Sequence, residues 1–208
     1  MNKKYLAPAV VQYDFPNKLA NELVQMFEEN YNINWNRSLV SSHGQENEVR
    51  TSQQFQFESE MPIASSRVKS IFIEAVNEYI KEFKINITQD EGLTLLKYGE
   101  NNKYDYHIDA DWAIYRVASA LIYLNPQEYE GGETHFNLID LTVKPDGPAI
   151  VLFPSNYAYS HAAMPVTKGT KYVFVTWMND LPGGFSPGIL SNIAASVGMM
   201  AMPHAHEH

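Results

Sequence analysis

His107 and Asp109 stand two positions apart in the run Tyr104-Asp105-Tyr106-His107-Ile108-Asp109, and a second histidine, His161, opens the run His161-Ala162-Ala163-Met164-Pro165. Two imidazoles and one carboxylate form the ligand set that holds ferrous iron on one face and leaves the opposite positions open for chemistry. Ten residues beyond the second histidine comes a cation, Lys171. It suggests what would fill part of the open face: an acidic co-substrate. The pattern reads as an oxygenase.

Such residues work only if strands aim them at one point. Side chains two apart on a strand share a face, so His107 and Asp109 can enter a barrel mouth together from one strand end. Tyr159, His161 and Ala163 share a face of a strand-like run, and alternation from residue 171 to 177 puts Lys171, Val173, Val175 and Trp177 together. An ammonium pointing into a barrel is costly unless it meets an anion. One candidate is a buried Asp or Glu. The other is the distal carboxylate of 2-oxoglutarate, whose 1-carboxylate and 2-keto oxygen would chelate iron and leave one position for O2. The hydroxyls of Tyr98, Tyr123 and Thr134 could then complete the carboxylate's hydrogen bonds.

The surrounding pattern supplies strands in number. A helix opens at Pro16 and runs through Leu19, Leu23, Met26 and Phe27. A second is expected over 65–83, where Val68, Ile71, Phe72, Ala75, Val76, Tyr79, Ile80 and Phe83 form one apolar stripe. Residues 40–58 read as a mobile lid that leads into a strand at 53–57. From Gly92 onward, short β-branched and aromatic runs at 93–98, 117–124, 149–153, 159–163 and 172–177 alternate with Gly, Pro, Asn and Asp clusters. Many short strands with this punctuation predict a mainly β sandwich or barrel with flanking helices. One domain is expected over 1–208: helical support at 16–83, a core at about 92–180, and an apolar tail at 186–203. That tail could dock on the body or join two copies as a homodimer.

Composition narrows the function classes. The 208 residues carry a formal charge of −9, which argues against a nucleic-acid partner. The chain has no cysteine, so disulfides and thiolate metal ligands are excluded and any metal must rest on His, Asp or Glu. Neither the N-terminus nor the interrupted tail has an apolar run long enough for a signal peptide or a membrane span. A soluble cytoplasmic protein is the expectation.

Several segments between residues 49 and 177 carry a family resemblance. They are Val49-Arg-Thr-Ser52, Leu96-Lys-Tyr-Gly99, Lys103-Tyr-Asp-Tyr-His-Ile-Asp109, Ile122-Tyr-Leu-Asn125, Glu130-Gly-Gly-Glu-Thr134 and Pro165-Val-Thr-Lys-Gly-Thr-Lys-Tyr172, then Trp177. In this order the chain resembles the prolyl 4-hydroxylase-type branch of the 2-oxoglutarate/Fe(II)-dependent dioxygenases. The resemblance implies a double-stranded β-helix, or jelly roll, braced by the N-terminal helices. It implies iron at His107, Asp109 and His161, and 2-oxoglutarate at Lys171 with Thr134, Tyr98 and Tyr123. It further implies a peptide groove lined by Arg50, Ser52, Tyr104, Arg116 and Trp177, a proline-containing peptide or protein as substrate, O2 as oxidant, and ascorbate binding. Two positions depart from the usual pattern: Tyr106 stands where a proline often precedes the metal histidine, and Asn179 where a histidine often follows the tryptophan.

Read without the resemblance, Arg50 and Arg116 fit surface ion pairs, and Tyr104 and Trp177 fit core aromatics. Arg116 has the opposite parity to Tyr123, so it reaches the same face only if the strand begins later or bulges. Two rival functions stand beside the prolyl one. The first is the same chemistry on a free amino acid, another side chain or a small metabolite. The second is a non-redox jelly roll, either a cupin-like isomerase or an interaction module, which leaves Lys171 and Gly131-Gly132-Glu133-Thr134 unexplained.

Overall fold

Strands that alternate apolar residues on both faces need a separate layer to cover each face. The computed structural model describes residues 1–30, 32–38, 48–110 and 115–181, and it supplies both layers. A hairpin of β1 (Lys3–Ala7) and β2 (Val10–Asp14) precedes helix α1 (Asn17–Glu29). Strands β3 (Asn36–Arg37) and β4 (Gln53–Phe55) lead into the short helix α2 (Phe57–Glu60) and the long helix α3 (Pro62–Phe83). Then come β5 (Gln89–Asp90), β6 (Thr94–Tyr98), β7 (Tyr104–His107) and β8 (Arg116–Tyr123). The chain continues through β9 (Glu130–Gly131), β10 (Thr134–Phe136), β11 (Leu141–Val143) and β12 (Ala149–Pro154). Strands β13 (His161–Ala163), β14 (Val166–Lys168) and β15 (Lys171–Asn179) complete it.

Nine strands form the major sheet in the order β1-β2-β12-β8-β15-β6-β4-β3, with β5 paired to the far end of β15. A minor sheet of four, β11-β10-β13-β7, faces it, and β14 pairs with β9 separately. One face of the major sheet presents Ala118, Ala120, Ile122, Ile150, Leu152, Tyr172 and Phe174 to the helices. Its other face presents Leu96, Tyr98, Tyr123, Val151, Phe153, Val173 and Val175 toward Phe136 and Val143 of the minor sheet. Two facing antiparallel sheets with an outer helical layer make the jelly roll.

The helices match the expected stripes with shifted ends. Helix α1 buries Leu19, Leu23 and Phe27, while α3 buries Val68, Phe72, Ala75, Val76, Tyr79 and Ile80 and leaves Ile71 and Phe83 half-covered. It starts three residues before the expected Ser65, because Pro62 fits the first helical turn, where no N–H is needed. Several other expectations need correction. The N-terminal hairpin was not anticipated; Val10, Val11 and Tyr13 are fully buried, and Val11 and Tyr13 pair with β12. The strand expected at 53–57 ends at Phe55, and Phe57 begins a helix turn. The run expected at 159–163 is a strand only from His161, since Tyr157–Tyr159 forms a 3-10 turn. The described part of the expected lid, residues 48–58, is held in place. Arg50 pairs with Tyr104, and the Asp105 N–H donates to the Val49 carbonyl at 2.8 Å, so that stretch is fixed to the edge of β7. Residues 39–47 and the tail at 186–203 lie outside the described residues, and with them the tail's docking and dimer roles. Among the described residues, no helix is long and apolar enough to cross a membrane.

Phe174 joins helix and sheet: its ring lies 4.6 Å from Phe57 and 6.1 Å from Phe27 by centroid, with no exposure. Phe174→Ala is expected to destabilise the protein by about 3–5 kcal/mol in chemical denaturation, through a cavity between those rings. A loss below about 1 kcal/mol would mean that the helical layer is not anchored there.

Candidate active site

The triad converges at one end of the space between the sheets. His107 ends β7, and Asp109 lies two residues past that strand's end. His161 starts β13, paired directly with His107. Their ligand atoms all lie within 4.8 Å of one another. Nε2 of His107 is 3.6 Å from Asp109 Oδ1, and Nε2 of His161 is 3.7 Å from Oδ2.

Hydrogen bonding fixes which atoms face the centre. His107 Nδ1 donates to the Asp105 carbonyl at 2.9 Å, and His161 Nδ1 donates to the Tyr159 carbonyl at 3.0 Å. A carbonyl can only accept, so both Nδ1 atoms carry the proton and both Nε2 lone pairs are free for a cation. Burial lowers the His161 pKa to about 4, which keeps the ring neutral. Burial alone would raise Asp109, but the two imidazoles and the Ser119 hydroxyl outweigh it and hold the carboxyl below the ordinary carboxylate range. Tyr104 stacks on His107 at 3.6 Å, while Phe136 and Phe153 flank His161 at 5.4 and 4.9 Å. Two imidazoles and a carboxylate, with no thiol present, suit Fe(II).

Ser119 was not anticipated. Its hydroxyl donates to Asp109 Oδ2 at 2.6 Å and bonds Ser155 at 2.8 Å, all three side chains being buried. It shares a face of β8 with Leu121 and Tyr123, so the same alternation used for Lys171 could have found it.

Lys171 is 2% exposed, and its Nζ lies on the cavity wall together with the triad. It donates to the Gly132 carbonyl at 2.8 Å and sits 5.2 Å from the ring centroids of both Tyr98 and Tyr123. Among the described residues, no carboxylate is within ion-pair distance of it. Burial lowers its pKa to about 7. Tyr123 and Thr134 hydroxyls bond each other at 2.6 Å, and burial raises the pKa of Tyr98 and Tyr123, so both remain phenols able to donate. The carbonyl on Lys171 is delivered by a turn in which Gly131 has φ +70°; any Cβ there would collide with the Pro165 carbonyl. Leu96, Leu121, Val173 and Val175 give the cavity apolar sides.

The residues expected around the mouth divide. Arg50, Tyr104 and Trp177 line the cavity, with Arg50 4.7 Å above the Tyr104 ring. Ser52 has no exposure and lies behind that wall, donating to Ser38 at 2.9 Å and accepting from Arg50 Nε at 3.4 Å. Arg116 reaches the site side through a bulge: Met178 pairs with Ala118 and Asn179 with Arg116, skipping Val117. Its guanidinium is 3.8 Å from the Trp177 centroid. Asp105 pairs with Lys103 on the surface, and Asp111 lies outside the described residues.

Residues 93–179 match the model of the 2OG-Fe(II) oxygenase superfamily, and His107, Asp109, His161 and Lys171 all fall within that span. This part of the chain is therefore similar to that superfamily, whose description names Fe(II) and 2-oxoglutarate. A protein of Acanthamoeba polyphaga mimivirus, provisionally named a prolyl 4-hydroxylase, is 30% identical over 157 residues, 66% of this chain and 61% of that protein. The chain thus spans under two thirds of that relative's length. The PKHD-type hydroxylase YbiX of Escherichia coli (strain K12 / DH10B) is 25% identical over 183 residues, 82% of this chain and 79% of that one. Among solved structures, a Trichoplax adhaerens prolyl hydroxylase in complex with a hypoxia inducible factor peptide fragment superposes with TM-score 0.69 at 17% identity, covering 83% and 84% of the two chains. A Pseudomonas putida prolyl-4-hydroxylase gives 0.66 at 18%, covering 84% and 94%. At these identities the structural likeness establishes the jelly-roll fold.

Ser119→Ala removes the donor that fixes Asp109. Affinity for a divalent metal is expected to fall about 10–100-fold, read by calorimetric titration of the folded protein. Unchanged affinity would leave Ser119 as a packing residue.

Proposed function

We propose that the protein hydroxylates a prolyl residue in a peptide or protein, consuming O2 and 2-oxoglutarate and releasing succinate and CO2. The observation that carries this reading is one cavity holding both the His107, Asp109 and His161 cluster and a buried ammonium without a carboxylate partner among the described residues. Fe(II) held by the triad would supply the oxidising power to break an unactivated C–H bond, so the protein need not provide a base at the carbon.

The chain's own residues do the rest. Lys171 would bind the distal carboxylate of 2-oxoglutarate; only one of its N–H groups is engaged, by Gly132, and the others remain for the anion. Thr134 and Tyr123 would turn their hydroxyls toward the same carboxylate. Leu121, Val173 and Val175 exclude water along the slot, which strengthens the ion pair. At the mouth, Tyr104 and Trp177 offer aromatic faces to a pyrrolidine ring. The Trp177 indole N–H is buried and has no acceptor among the described residues, which leaves it free for a peptide carbonyl. Arg50 and Arg116 would flank the entering chain.

The direct test is mass spectrometry of a proline-containing peptide library after incubation with Fe(II), ascorbate and 2-oxoglutarate. The expected outcome is oxygen added to proline together with stoichiometric succinate. Succinate without peptide oxidation, but with oxidation of a free amino acid or small metabolite, would move the substrate class and keep the chemistry.

Lys171→Ala is expected to raise the 2-oxoglutarate requirement by orders of magnitude while metal binding survives; an unchanged requirement would place the anchor elsewhere. The pH dependence follows from the same group. A lysine with pKa about 7 loses its proton as pH rises through neutrality, and only the cation pairs with a carboxylate. Affinity for 2-oxoglutarate should therefore weaken by up to about tenfold per pH unit above 7, with proton uptake on binding. Calorimetry in buffers of different ionisation enthalpy reads that uptake, and a flat profile from pH 7 to 9 would contradict it.

A further inference from the structure

Glu91 lies in the turn between β5 and β6, off the cavity wall, and no step above uses it. Its carboxylate makes a forked pair with Arg116: Nε donates to Oε1 and Nη2 to Oε2, both at 2.6 Å. Oε1 also accepts from Asn179 Nδ2 at 3.2 Å, and the Glu91 N–H donates to the Trp177 carbonyl at 3.0 Å. Arg116 uses its remaining nitrogen, Nη1, to donate to the main-chain carbonyl of Asp109 at 3.0 Å. A planar guanidinium engaged on all its nitrogens and laid against an indole has a single orientation.

The turn is held from its other side by the helical layer. Asp90 accepts from the buried Lys69 ammonium at 3.2 Å and from the Gly92 N–H at 2.8 Å. Glu58, which also pairs with Lys69, accepts from the Leu93 N–H at 2.9 Å. Gly92 has φ +79°, and a Cβ there would press on Glu58 Oε2 at 3.1 Å, so the turn closes tightly only around glycine. A continuous series of charged contacts thus runs from helix α3 through Asp90 and Glu91 to Arg116 and the Asp109 main chain.

We infer that Glu91 is a positioning residue for the metal-binding carboxylate, acting through Arg116 to fix the Asp109 main chain. The inference rests on reading His107, Asp109 and His161 as the metal site. The forked pair does two things. It orients Nη1 onto the Asp109 carbonyl, and it neutralises a largely buried guanidinium that would otherwise compete with the metal for the Asp109 carboxylate.

The test uses the full chain and Co(II), an oxygen-insensitive probe of the Fe(II) site, titrated calorimetrically. Glu91→Gln keeps the size and removes the charge; Co(II) is expected to bind on the order of tenfold more weakly to the folded variant. Glu91→Asp, which keeps the charge, should recover part of that loss. Arg116→Gln should weaken binding at least as much as Glu91→Gln, and the double variant should lose no more than Arg116→Gln alone. Wild-type affinity in Glu91→Gln, or fully additive losses in the double variant, would overturn the inference. If Glu91→Gln does not fold, Arg116→Lys, which keeps the charge but loses the fork, carries the same expectation and the same refutation. A wild-type chain that takes up no Co(II) would instead overturn the metal-site reading beneath it, so the two failures are distinct.

Discussion

Charge held out of water governs this structure. Asp109 and Lys171 are both buried, and neither is paired with the other. Isolated charges in such surroundings cost several kcal/mol each, even after the protein relaxes around them. The carboxylate accepts from the Ser119 hydroxyl, and the Nε2 atoms of both imidazoles face it, so the three side chains together suit a cation. The ammonium is compensated only by a carbonyl and two aromatic faces, and its depressed pKa registers the shortfall. A site that tolerates a shortfall of this kind is suited to an anionic ligand, because binding supplies the missing counter-charge. The cost of burying the ammonium would thus become affinity for a carboxylate.

That constraint explains the division of the fold. Groups that must not move sit on the regular parts of both sheets: His161 on β13, Lys171 on β15, and Ser119, Tyr123 and Thr134 on strands that pair on both sides. The helical layer never touches the cavity directly. It fills the outer face of the major sheet with aromatics and so fixes the plane in which β8 and β15 lie. The one place where helical contacts reach toward the site is the turn at Asp90 and Glu91, and they do so through ion pairs instead of apolar packing.

Much of this was legible in the sequence because alternation on a strand is a rigid rule. It placed Lys171, Val173, Val175 and Trp177 on one face, and the structure keeps them there. The same parity rule left Arg116 either a later strand start or a bulge, and the register shift at Val117 is the second of these. What escaped was whatever depends on partners distant in sequence. The N-terminal hairpin is too short to declare itself, and joins the sheet because β12 offers Val11 and Tyr13 an edge. Glu91 looks like an ordinary surface acid until the turn is folded against Arg116. Tyr159 resembled a strand residue, yet its main-chain carbonyl is what matters, since it sets the tautomer of His161. Main-chain roles leave no mark on residue type.

The mouth is built differently from the floor. Arg50 lies in the segment paired to the edge of β7, Asp109 past a strand end, and Arg116 at the bulged end of β8, so each is set where regular pairing begins or stops. Mouth and floor are joined by more than one contact: Tyr104 stacks on His107, and Arg116 donates to the Asp109 carbonyl. On the reading of Asp109 as a metal ligand, a substitution that frees Arg116 for a substrate would also loosen that carboxylate, so substrate choice and metal retention would be coupled through this hydrogen bond.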